Sequence, residues 1–169
     1  MNGDDTTEKV KTMVEKVNNF SKNYSNIPNV AAICVYPALV ETVKEKIKKK
    51  LGIAAVSAGF PASQTFIEVK IAETALSVQA GASEIDVVIS VGKFLEKNYD
   101  EVFDELQEIK AACGESHLKV ILETGALKTA ENIKKASVLA MEAGADFIKT
   151  STGKITVSAT LEATYVMCK

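Results

Sequence analysis

The chain has 169 residues, 47% of them hydrophobic, 25% charged and 6% aromatic, with a formal net charge of −2. That is the composition of one globular domain with a sizeable core, and it excludes a disordered tail, a collagen-like repeat and a small disulfide scaffold. The balanced charge gives no reason to expect a nucleic-acid partner, and no apolar run approaches the ~20 residues of a membrane helix.

From Thr6 to Lys22, Val10, Met13, Val14 and Val17 recur at helical spacing behind a threonine cap at Thr6 or Thr7. The acidic start, MNGDDTTEKV, lacks the basic and then apolar order of a secretory signal. Val30–Tyr36, VAAICVY, reads as a buried strand, and Pro37 suits the first turn of a helix running to Lys50. The lysine run Lys44–Lys50 is then a solvated helix end, and Gly52 is its stop. Ile53–Ser57 is a second strand, broken by Gly59-Phe60-Pro61. Ser63–Ala80 is a long amphipathic helix ended by Gly81.

Glu84–Ser90, EIDVVIS, is a strand that carries a carboxylate inside an apolar run. A helix over Asp100–Cys113 stops at Gly114, and Leu118–Glu123, LKVILE, is the next strand, turning at Thr124-Gly125. Thr129–Ala143 is helical up to Gly144, and Ala145–Lys149, ADFIK, is the last strand. TSTGK makes a small-residue loop before a final helix from Ser158 or Thr160.

Wholly apolar strands alternating with helices indicate the α/β class, with a parallel βα repeat covered on both faces. The turns Gln79-Ala80-Gly81-Ala82 and Glu142-Ala143-Gly144-Ala145 nearly repeat each other. A closed eight-fold βα barrel needs about 250 residues. The five strands are therefore either a doubly wound open sheet or an incomplete TIM (β/α)8 barrel, in a single domain over residues 1–169.

Charges inside apolar strands are the sharpest chemical signal, because burying an unpaired charge is costly. Asp86, Lys119 and Lys149 are such residues, and Lys149 stands at the carboxyl end of its strand, where parallel α/β folds place their sites. One such lysine alone would read as snorkelling or a satisfied ion pair; three in successive strands point to a site. Thr150–Lys154 offers hydroxyls, a permissive glycine and a cation, a fair cradle for phosphate. It is not a nucleotide-binding P-loop, since Ile148 and Ile155 stand where Gly and Ser or Thr are required. Cys34, Cys113 and Cys168 form no CxxC pair, so reduced thiols in the cytoplasm are expected. His117 has no neighbouring Cys or His in the sequence, and no metal site is expected.

The segments VAAICVYPALV, AVSAGFP, AGASEIDVVISVG, LKVILETGAL and AGADFIKTSTGK occur in an order that resembles the deoxyribose-phosphate aldolases, class I aldolases built on a βα barrel. The resemblance spans most of the chain. It implies that Lys149 forms the Schiff base, Asp86 belongs to the proton relay, Lys119 holds and polarises the site, and Cys34 lies beside the pocket. Thr152, Gly153 and Lys154 would contact the substrate, the last two as part of the phosphate loop. Small phosphosugar and aldehyde substrates are implied, and no cofactor beyond the covalent lysine adduct.

The family's first strand and its last two βα units, including a second lysine in a GFK…GG motif, have no counterpart in this sequence. Without that lysine and most of the phosphate cradle, the expectation is weak or absent activity for this chain alone. Exposed edges near Val30–Tyr36 and Ala145–Lys149 favour self-association. Two rivals stand beside the enzyme: a non-catalytic phosphosugar-binding or assembly fragment of an aldolase barrel, and an unrelated doubly wound binding protein. The second should carry a glycine-rich first βα turn, which Val35-Tyr36-Pro37 does not supply.

Overall fold

In a computed structural model that describes residues 1–169, the five apolar runs form one parallel sheet in chain order. Its strands are β1 (Ala32–Val35), β2 (Gly52–Ser57), β3 (Glu84–Val88), β4 (His117–Ile121) and β5 (Phe147–Lys149). The principal helices are α1 (Thr7–Asn23), α2 (Val40–Lys46), α3 (Ile67–Ala80), α5 (Tyr99–Cys113), α7 (Ala130–Glu142) and α8 (Leu161–Met167). Two short ones, α4 (Val91–Leu95) and α6 (Thr124–Leu127), lie in the connections. The barrel is not closed: β1 and β5 are the two edges, as the sequence implies.

Side chains alternate across a strand, so each strand has two sets of positions. One set, Ile33, Val35, Ile53, Ala55, Ile85, Val87, Leu118 and Val120, packs with Val14, Val43, Leu106, Ile109 and Ile133 of the helices into the core. The other set lies on the opposite face of the sheet and includes Cys34, Glu84, Asp86, Lys119 and Lys149. Strand register sets their heights: Asp86 is paired with Lys119, whereas Lys149 is paired with Ile121, nearer the carboxyl ends.

Several sequence expectations are corrected. The helix read through to Lys50 ends at Lys46, because Asn18 donates to the Lys46 carbonyl and accepts the Lys48 N–H, drawing the chain out of the helix. Gly52 is not a helix stop; it opens β2. The helix read from Ser63 begins at Ile67, since Ser63 has a φ of 57° and its N–H closes a turn onto the Gly59 carbonyl. The final helix, by contrast, starts where expected: Thr160 is its N-cap and Leu161 its first residue.

Outside the sheet, Lys70 of α3 is 1% exposed and binds Ser90 Oγ at 2.8 Å and Glu105 of α5 at 3.0 Å. Glu105 also takes Lys93 at 2.8 Å and the Ser90 hydroxyl at 2.6 Å. This cluster, with Lys70 and Ser90 buried, ties the end of β3 to α3, α4 and α5.

Candidate active site

Asp86, 1% exposed, is the centre of the charged face. Its Oδ2 accepts from the Lys149 ammonium and lies 3.7 Å from the Cys34 sulfur. Its Oδ1 is 3.3 Å from Lys119 Nζ, an ion pair without an aligned hydrogen bond. Lys119 in turn sits 2.5 Å from Glu84 Oε2. The result is a row of alternating charge, Glu84–Lys119–Asp86–Lys149, drawn from three neighbouring strands.

The electrostatics follow from that row. Burial pulls the Lys119 pKa down, but its bond to Glu84 and the charges of Asp86 and Glu84 outweigh burial and hold it above the ordinary value. Burial, and then the Asp86 charge, push the Cys34 thiol up to about 11, against the pull of Lys149 and Lys119. Cys34 is therefore a neutral thiol near pH 7, packed beside the carboxylate instead of acting as a thiolate.

The loop after β5 is braced from β4. Glu123, buried and with a φ of 55°, accepts the Thr152 N–H at 3.2 Å and its hydroxyl at 2.5 Å. The Thr152 oxygen then accepts the Lys154 N–H at 3.0 Å, and Gly153 takes a φ of 73°. Both Thr152 donors are thus engaged by Glu123. Lys154 reaches the Met1 carbonyl and Asn2 Oδ1, and Met1 Sδ is 3.8 Å from the Cys34 sulfur, so the first residues cross between the two.

Of the residues singled out from sequence, Asp86, Lys119, Lys149 and Cys34 meet in one site, with Thr152, Gly153 and Lys154 in the loop that follows Lys149. Sequence reasoning missed Glu84 and Glu123. Glu84 had a signal, since it lies two residues before Asp86 and so on the same face of the strand.

The DeoC/LacD family aldolase model matches residues 1–169. A Caenorhabditis elegans relative is 44% identical over 171 residues, covering 99% of this chain and 56% of its own. The deoxyribose-phosphate aldolase of Homo sapiens is 48% identical over 142 residues, covering 82% of this chain and 45% of its own. Among solved structures, QR15, an aldolase, superposes with a TM-score of 0.85 at 34% identity, covering 96% of this chain and 68% of its own. The tetrameric deoxyribose phosphate aldolase of Aeropyrum pernix gives 0.80 at 26% identity, covering 98% and 66%. The chain spans about half the length of the curated relatives it matches. On the match of its whole length, the chain belongs to the DeoC/LacD aldolase family.

Proposed function

We propose that this chain carries the Schiff-base and proton-transfer groups of a deoxyribose-phosphate aldolase. The observation that carries the reading is one buried carboxylate, Asp86, held between two lysines, with Lys149 at the carboxyl end of its strand. Attack requires the Lys149 ammonium to hand on its proton, and Asp86, in direct contact, is the acceptor within reach. The free amine adds to the carbonyl of acetaldehyde; Asp86 returns its proton to the departing hydroxyl, so loss of water gives an iminium and restores the carboxylate. That iminium is an electron sink: a proton leaves the adjacent carbon, through water to Asp86, and an enamine forms. The enamine carbon bonds to the aldehyde carbon of glyceraldehyde 3-phosphate, and the proton held by Asp86 passes through water to the new hydroxyl. Water then hydrolyses the new iminium, releasing 2-deoxyribose 5-phosphate and restoring the amine. The covalent lysine adduct takes the place of a cofactor in this route.

In this reading Lys119 remains a fixed cation that orients Asp86. Lys154 and the Gly153 N–H face the phosphate, while Thr152 holds their loop through Glu123. Three free cysteines suit a cytoplasmic setting. The unpaired edges of β1 and β5 favour self-association, which sedimentation would detect.

A retro-aldol assay tests the whole reading: acetaldehyde released from 2-deoxyribose 5-phosphate, measured for the native chain and for Lys149→Met. Release that disappears with the substitution supports it. A non-catalytic phosphosugar-binding fragment would instead bind the sugar phosphate and release nothing.

A further inference from the structure

Glu84 has no part in the mechanism above, yet it sits in a seat formed by another strand. Gly52 of β2 lies beside it, and a Cβ built at Gly52 would come within 2.5 Å of Glu84 Oε1 and 3.1 Å of its Cδ. The absence of a side chain at position 52 therefore makes room for this carboxylate, which places Oε2 at 2.5 Å from Lys119 Nζ. Glu84 and Lys119 are both largely buried, and Lys119 has only Glu84 and Asp86 as acidic partners. The charged and titratable groups that face this row are Glu84 and Asp86 from β3, Lys119 from β4, Lys149 from β5 and the Cys34 thiol from β1.

We propose that Glu84, seated in the space left by Gly52, is a positioning residue: it pins Lys119 on one flank of Asp86, so that the other carboxylate oxygen is kept for Lys149. The proposal rests on the aldolase reading for its consequence in catalysis, but not for the pinning itself. Without Glu84, Lys119 has a single acidic partner and competes with Lys149 for it. The row also gains one positive charge, which disfavours both ammonium forms.

The test uses Glu84→Gln, which removes the charge at nearly constant shape, and Gly52→Ala, which keeps the charge but displaces the carboxylate. Trace acetylation with acetic anhydride across pH, read by mass spectrometry, follows Lys119 separately from the other lysines. Borohydride trapping with acetaldehyde follows Lys149. In Glu84→Gln the Lys119 labelling midpoint falls by about one pH unit and the Lys149 trapping midpoint by about half a unit. Gly52→Ala shifts both in the same direction, and the double variant shifts them no further than Glu84→Gln alone. Unchanged Lys119 labelling in both variants, or shifts that simply add, would overturn the proposal. If the native chain traps no acetaldehyde, the Schiff-base reading fails while Lys119 labelling still decides the role of Glu84. A merely structural role would lower thermal stability without moving either midpoint.

Discussion

Under the proposed mechanism, replacing Asp86 with Asn separates two steps that are assigned to one carboxylate. Glu84 and Asp86 balance Lys119 and Lys149, so the substitution leaves the row with one uncompensated positive charge. Loss of a buried partner typically costs about 3–5 kcal/mol. Here Lys119 keeps Glu84, and the Lys149 side chain, 38% exposed, turns to water. The cost is therefore about 1–2 kcal/mol, or roughly 2–8 °C in Tm for a domain of this size. Removing the negative charge disfavours the charged amine, and water at the part-exposed Lys149 takes the proton in place of Asp86, so the iminium still forms. Proton removal from the adjacent carbon loses its base, which is worth about 10²–10⁴ in rate. Deuterium uptake into the methyl group of acetaldehyde, followed by NMR in D2O, reports that step, and borohydride trapping reports the adduct. Asp86→Asn is expected to trap as native does while exchange slows at least a hundredfold. Exchange within tenfold of native would refute the role of Asp86 as base.

Further outcomes follow from three other places in the fold. Glu105→Gln leaves the buried Lys70 ammonium without a counter-charge and costs about 3–5 kcal/mol, whereas Lys70→Met leaves Glu105 its bonds to Lys93 and Ser90 and costs roughly half as much by urea unfolding. Burial raises the Glu105 pKa, but bonds from Lys93, Ser90 and Lys70 outweigh it and leave it below the ordinary 4.5. Its stabilisation is complete above that value and is lost as pH falls through the lower folded value, so Glu105→Gln flattens the acid limb of a stability–pH curve. A Cys34 thiol at about 11 is about one thousandth thiolate at pH 8, so iodoacetamide should label exposed Cys168 well before Cys34; equal rates would contradict the buried setting. A Cβ at Gly125 would strike the Val157 carbonyl, so Gly125→Ala displaces the segment after the Lys154 loop and costs about 1–3 kcal/mol, seen as a lower Tm.

The strands were legible because each is a short apolar run bounded by glycine, proline or a helix cap, and both edges followed from their order. The charged site was legible for the same reason: Asp86, Lys119 and Lys149 interrupt runs that are otherwise apolar. What escaped was local or depended on a neighbouring strand. Helices of four or five residues, such as Val91–Leu95 and Thr124–Leu127, are too short to show a period. Gly52 looks like a helix stop from its flanking lysines, and only the packing of β2 against β3 reveals that it accommodates Glu84. Glu123 could not be distinguished from an ordinary strand end until its left-handed backbone turned both carboxylate oxygens onto Thr152.

The central claim is that Lys149 is the amine that bonds to substrate. The most direct measurement incubates the chain with acetaldehyde, reduces it with borohydride and maps the modified residue by peptide mass spectrometry. The account predicts a single dominant ethyl-lysine at Lys149, lost in Lys149→Met and suppressed when 2-deoxyribose 5-phosphate competes. Modification spread over the surface lysines, with Lys149 no more reactive than Lys134 or Lys135, would contradict it.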